Sequence, residues 1–148
     1  MDVLEILKSD HDKVKRLFSQ FEEADTDKHR LAIFRTIRNE LELHTFVEET
    51  VFYPAFRRYD EFKAWLDEAV SEHEEVKNIL AEMVTVAGRD AGAFLEKFES
   101  LRDAVEHHVG EEENQFFPHV RRLLKRPERE ALGRHVEAAK QEKLEAAA

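Results

Sequence analysis

The chain has no cysteine, and among its 148 residues there are only four glycines, three prolines and one tryptophan. Without thiols it forms no disulfide and offers no thiolate metal site. No run of eighteen apolar residues occurs, so no stretch of it is suited to cross a bilayer and no membrane partner is expected. The N-terminus, MDVLEILKSDHDK, is acidic and amphipathic, whereas a signal peptide starts basic and continues apolar. A cytoplasmic location is the default reading of such a chain.

What is present is charge and helical periodicity. Charged residues make up 38% of the sequence and the net charge is −10, which argues against nucleic acid as a partner because phosphate binding needs a basic face. The length suits one domain. Apolar residues recur at alternating steps of three and four, the spacing that keeps one stripe facing a bundle core. The first such seam is Leu4, Leu7, His11, Val14, Phe18, Phe21. The second is Phe34, Ile37, Leu41, His44, Glu48, Val51, Ala55. The third runs Phe62, Leu66, Ala69, His73, Val76, Leu80, Met83, Ala87. The fourth runs Phe94, Phe98, Leu101, Val105, His108, Glu112, Gln115, His119.

Turn and capping residues separate the seams at Ala24-Asp25-Thr26-Asp27, Gly88 and Asp90-Ala91-Gly92. The expected fold is all-α: an up-down-up-down four-helix bundle over residues 1–124. A short C-terminal helix and tail follow over 125–148, with Pro127 in the first turn and KQEKLEAAA as a fraying end. Pro54 and Pro118 should kink or end the helices that carry them.

The seams are apolar except at His and Glu positions, with Gln115 further along. An ionised carboxylate buried without a partner costs several kcal/mol. Glu48 and Glu112 therefore need a reason, and so do four seam histidines, one on each helix. A metal centre supplies it, since imidazole and carboxylate form a good ligand set. The chain also repeats itself. SDHDKVKRL at 9–17 resembles SEHEEVKNI at 71–79, and HTFVEETVFYP at 44–54 resembles HVGEEENQFFP at 108–118. Each half is a helix with one His followed by a helix with H-x-x-x-E. The i, i+4 spacing stacks His44 with Glu48 and His108 with Glu112 on one helix face. Two facing hairpins would then each offer two imidazoles to one metal, with both carboxylates placed centrally as bridges.

His11, His44-x-x-x-Glu48, His73 and His108-x-x-x-Glu112 resemble the ligand pattern of the hemerythrin-like (HHE cation-binding) proteins, over residues 1 to about 124. The resemblance implies a four-helix bundle around two non-haem iron ions, carboxylate- and oxo- or hydroxo-bridged, with zinc or manganese as alternatives. It also implies a small-molecule ligand: O2, peroxide or nitric oxide. Two departures stand out. Where the oxygen carriers of the family have a second His four residues after the third-helix His, this chain has Lys77. Where they have an Asp five residues after the fourth-helix His, it has Glu112 at four. The missing imidazole either opens a coordination position or leaves it to another group such as a nearby carboxylate.

His107 and Glu111 form a competing i, i+4 pair, but they share a face with Lys97, Ser100, Ala104 and Asn114, so the phase selects His108 and Glu112. Glu49 and Glu113 recur one step off the seam and either support the ligands or belong to a solvated face. Lys77 recurs with Lys15, and each either pairs with those glutamates or lies at the surface. His119 is a candidate for a supporting or gating position. Tyr53 either hydrogen-bonds near the site or packs, and packing is the reading adopted. His29 and His135 receive no role. Three functions fit: binding or sensing of O2, oxidoreduction of peroxide or nitric oxide, and iron storage or buffering.

Overall fold

The computed structural model describes residues 1–147. Its α-helices are α1 (Val3–Glu23), α2 (Asp27–Val47), α3 (Lys63–Val86), α4 (Ala91–Glu111), α5 (Phe117–Leu123) and α6 (Arg126–Ala147). α2 passes without a break into a π turn, Glu48–Phe52, and a 3-10 turn, Tyr53–Phe56; α4 passes through a second π turn, Glu112–Phe116, into α5. The result is an all-helical bundle of two hairpins, α1 with α2 and α3 with α4, and α6 lies against α1 and α2.

Local chemistry sets the starts. Asp2 Oδ1 accepts from the backbone N–H groups of Leu4 (2.8 Å) and Glu5 (3.1 Å), Thr26 Oγ1 from His29 (3.1 Å), and Asp90 Oδ1 from Ala93 (3.0 Å). Each such cap is worth about 1 kcal/mol to its helix. α3 ends at Gly88, whose φ of 75° lies in the left-handed region that glycine enters without strain.

The interior divides into two apolar clusters. One gathers Leu7, Phe52, Tyr53, Phe56, Leu66, Phe116 and Val136 with their neighbours; the other gathers Val14, Phe18, Phe21, Phe34, Met83, Phe98 and Leu101 with theirs. Between them lies a polar layer. Along α1 the order is Leu7, His11, Val14, and along α3 it is Ala69, His73, Val76, so each helix crosses from one cluster to the other at its histidine.

Two expectations need correcting. Beyond each buried glutamate the seam slips by one residue. Phe52, Tyr53 and Phe56 are buried in place of Val51 and Ala55, and Phe116, Phe117 and Val120 in place of Gln115 and His119. The π turns cause this, because i→i+5 bonding (Tyr53 N–H to Glu48 O, Phe117 N–H to Glu112 O) takes up an extra residue. In both halves the next residue is Pro54 or Pro118. It has no N–H to continue the ladder, and its ring clashes with the carbonyl four residues back, which a widened turn relieves. The C-terminal helix is also longer than expected: α6 has 22 residues and is helical as far as Ala147. Its Val136 is fully buried, and a Cβ on Gly133 would stand 2.6 Å from Met1 O, so glycine permits the close crossing with the N-terminus.

Candidate metal centre

Four helices bring His11, His44, His73 and His108 to the polar layer, and the first residues of the two π turns bring Glu48 and Glu112. All six are buried, and both carboxylates are fully so. The imidazoles pair by hairpin: His11 with His44 at 4.9 Å between ring centres, and His73 with His108 at 4.7 Å. Glu48 Oε1 stands 3.1 Å from both His44 Nε2 and His73 Nε2, and so joins the two pairs. Glu112 Oε1 is 3.0 Å from His11 Nε2, and its Oε2 is 3.6 Å from His108 Nε2. Two groups of donors result, His11-His44-Glu48-Glu112 and Glu48-His73-His108.

Every Nε2 faces inward because every Nδ1 is held from behind by a carboxylate. His11 Nδ1 donates to Glu113 at 2.7 Å, His44 Nδ1 to Asp10 at 2.9 Å, His73 Nδ1 to Glu49 at 2.8 Å and His108 Nδ1 to Glu72 at 2.7 Å. A carboxylate behind the ring fixes its tautomer and orientation and makes the opposite nitrogen a stronger donor to a metal. The arrangement obeys the internal repeat. The acid just before each α1 or α3 histidine (Asp10, Glu72) holds the histidine of the following helix, and the acid just after each buried glutamate (Glu49, Glu113) holds the α1 or α3 histidine.

These contacts leave atoms that hydrogen bonding does not satisfy. Among the described residues, His11 Nε2, His44 Nε2, Glu48 Oε2 and Glu112 Oε1 are buried without a hydrogen-bond partner. Although His11 Nε2 and Glu112 Oε1 are 3.0 Å apart, they are not aligned as a hydrogen bond. Nitrogen and oxygen donors bind first-row cations at about 2.0–2.2 Å, so neighbouring donors on one ion lie about 3.0–3.6 Å apart. The spacings here, from 3.0 to 3.6 Å, fall in that range.

The electrostatics agree. Burial opposes a charged imidazole, but the Glu48 charge and the contacts with Asp10 and Glu48 outweigh it and lift His44 to about 10. Contacts with Glu112, Glu48 and Glu72 likewise overcome burial and lift His108 to about 12. Burial would raise Glu48, yet the His44 charge and hydrogen bonds hold it well below the usual carboxylate range. The pocket therefore attracts positive charge, as protons on Nε2 or as cations in their place.

Tyr53, read from sequence as packing, reaches into this layer. Its hydroxyl donates to Glu112 Oε2 at 2.6 Å and stands 3.2 Å from His108 Nε2 and 3.4 Å from His73 Nε2. The π turn swings it inward. Burial and then the charges of Glu112 and Glu48 push the phenol well above its usual pKa, so it stays protonated. Lys77 faces outward and contacts Glu49 at 3.5 Å. His119 is not brought to the site: it is exposed, beside Phe62 and 2.8 Å from Arg122. His107 is exposed as well, against Glu111 and Glu72. On the other side of the imidazoles lies a cavity of about 30 Å³, walled by Val14, Leu41, Val76 and Val105. That is space enough for a small ligand or water.

Residues 2–120 match the hemerythrin HHE cation binding domain. The chain belongs to that family. A hemerythrin HHE cation binding domain-containing protein from Mycobacterium kansasii has a similar solved structure, with a TM-score of 0.81 and 26% identity over 96% of this chain and 86% of that one. A DNA nickase of Nostoc sp. is 29% identical over 141 residues, which is 95% of this chain but 39% of the relative; the chain spans about two-fifths of that protein's length. The cation-binding character of the HHE domain and the His/Glu cluster agree, so this is a metal-binding hemerythrin-like protein.

Proposed function

We propose that this HHE protein holds two non-haem iron ions and binds O2, or a related small ligand such as peroxide or nitric oxide, beside them. The observation that carries the proposal is the set of buried ring nitrogens and carboxylate oxygens left unpartnered around shared centres. We assign His11 and His44 to one ion, His73 and His108 to the other, and Glu48 and Glu112 to the space between. Glu49, Glu113, Asp10 and Glu72 hold the rings in place. Zinc and manganese take overlapping donors, and the preference for iron rests on the family resemblance. When bound, such ions hold and polarise an oxygen-containing ligand. The chain's own part is to aim each Nε2 at the ions and hold it there from behind, to supply the negative charge that favours cations, to keep the site dry between two apolar clusters, and to leave a small aliphatic space beside it.

A second reading, an oxidoreductase decomposing peroxide or nitric oxide, is favoured by Tyr53. A phenol O–H that donates to Glu112 and lies within 3.4 Å of two facing ring nitrogens places a hydrogen-bonding, proton-bearing group inside the site, and peroxide breakdown includes proton-transfer steps that such a group can assist. The two readings separate in one set of assays. A spectrum that bleaches under argon and returns in air supports binding. Turnover of added peroxide or nitric oxide that is lost in Tyr53→Phe, with metal content unchanged, supports the enzyme. If an iron-loaded protein does neither, iron storage or buffering remains. DNA nicking, the activity in the name of the Nostoc relative, is not part of the proposal, because a net charge of −10 works against a phosphate-binding face.

A further inference from the structure

The two halves repeat their ligands but not the approaches to them. The position two residues before the buried glutamate is Phe46 in the first half and Gly110 in the second. A glycine inside a helix costs about 1 kcal/mol relative to alanine. Gly110 is not compensated by close packing, since a Cβ there would meet nothing within 4 Å. The open space belongs to a groove of about 410 Å³ between α1 and α4, with Lys8 and Lys15 on its rim.

This groove leads inward. It shares four lining residues, His11, Val14, Val105 and Val109, with the small cavity beside the four imidazoles. The corresponding groove of the other half, about 370 Å³, does not lead inward in the same way. There the Phe46 ring fills the place of the glycine and Lys143 of α6 lies 4.4 Å over it; the groove beside it shares only Thr45 with the inner cavity. The inner cavity is lined by both halves, and of the two approaches only the α1/α4 side is lined by a glycine.

We propose that small ligands reach the metal centre through the α1/α4 groove at Gly110, past a partition formed by the side chains of Val14, Val105 and Val109. The route suits small ligands, because the inner cavity is only about 30 Å³. This inference rests on the small-ligand reading given above. It makes Gly110 a residue that sets the rate and size limit of access and that touches neither metal nor ligand at rest.

The absence of native cysteine makes a clean test possible. In iron-loaded Gly110→Cys, the single thiol is capped with a methyl or a benzyl disulfide reagent, and azide association is followed by stopped-flow absorbance. Iron per chain is measured before and after capping. Lys15→Cys, on the exposed rim, is the second variant should Gly110→Cys load metal poorly, and Ser100→Cys, exposed and outside the groove, is the control. Benzyl capping at 110 should slow association and dissociation together by tenfold or more, with the azide affinity and iron content unchanged. Methyl capping should slow them less, and the control not at all. Unchanged rates after benzyl capping at both groove positions would overturn the route. A lost affinity with an unchanged association rate would also overturn it, since Gly110 would then shape the site and not the path. Iron-loaded native protein that binds no azide would instead remove the small-ligand reading and this inference with it.

Discussion

Glu111 and Glu112 are adjacent in the chain and opposite in circumstance: one faces exposed His107 and the other lies fully buried between imidazoles. Seam phase separated them in the sequence, because several apolar positions fix the rotation of α4. The same reasoning identified the six inward-facing His and Glu residues. It did not identify Asp10 and Glu72, although the repeated Ser-acid-His triplets contained the signal; an acid beside a histidine in sequence supports a histidine on another helix. Glu48→Gln or Glu112→Gln should abolish loading of at least one metal, whereas Glu111→Gln should leave the metal content unchanged, as measured by mass spectrometry. The reverse pattern would refute the assignment. Asp10→Asn and Glu113→Gln should retain the fold and weaken metal binding by about 10–100-fold. Competition with a graded series of chelators would detect this, and unchanged affinities would mean that the carboxylates behind the rings are only surface partners.

At the scale of elements, the helices were legible and the π turns were not. Steps of three and four assume 3.6 residues per turn, and near both prolines the sequence offers apolar residues in more than one register: Val51, Phe52 and Tyr53, then Phe116 and Phe117. The polar Gln115 in the fourth seam marks the point where the phase slips. The pattern alone does not aim Tyr53 into the site, since its direction depends on the wide turn. π turns inside α-helices recur at functional sites, and here each begins on a buried glutamate. Removing one exposed residue of the first π turn, Thr50, should restore an ordinary α-helix and keep the downstream face directed at the core. The expected outcome is an unchanged helical circular dichroism signal with much weaker metal binding. Full metal binding in the deletion variant would show that the turn is incidental.

At the scale of the whole molecule, the polar layer divides the core, and α6 closes the structure over it. Lys140 Nζ lies 2.6 and 2.7 Å from the two Asp10 oxygens, and Asp10 in turn holds His44. The C-terminal helix, read from sequence as an appendage, therefore supports the centre. Tertiary docking of this kind leaves little mark on local pattern, and the roles of Gly133 and Val136 emerge only in the folded chain. Charge balance gives a pH signature. In metal-free protein His44 is raised from 6.5 to about 10, so its contribution to stability is fully present below pH 6.5 and is lost as pH rises towards 10. Glu48 is lowered from 4.5, so its contribution is present above pH 4.5 and is lost on acidification. The metal-free protein should be most stable between about pH 4.5 and 6.5. Its melting temperature should fall with alkali, a slope absent from the loaded protein, in which cations replace the extra protons. Parallel melting curves for both forms across pH 5–9 would contradict this charge balance. The most direct test of the dinuclear centre is the metal content of untagged protein by plasma mass spectrometry, read with its aerobic near-ultraviolet spectrum. Two irons per chain with ferric absorption is the expected result; no iron, or a single zinc, would contradict it.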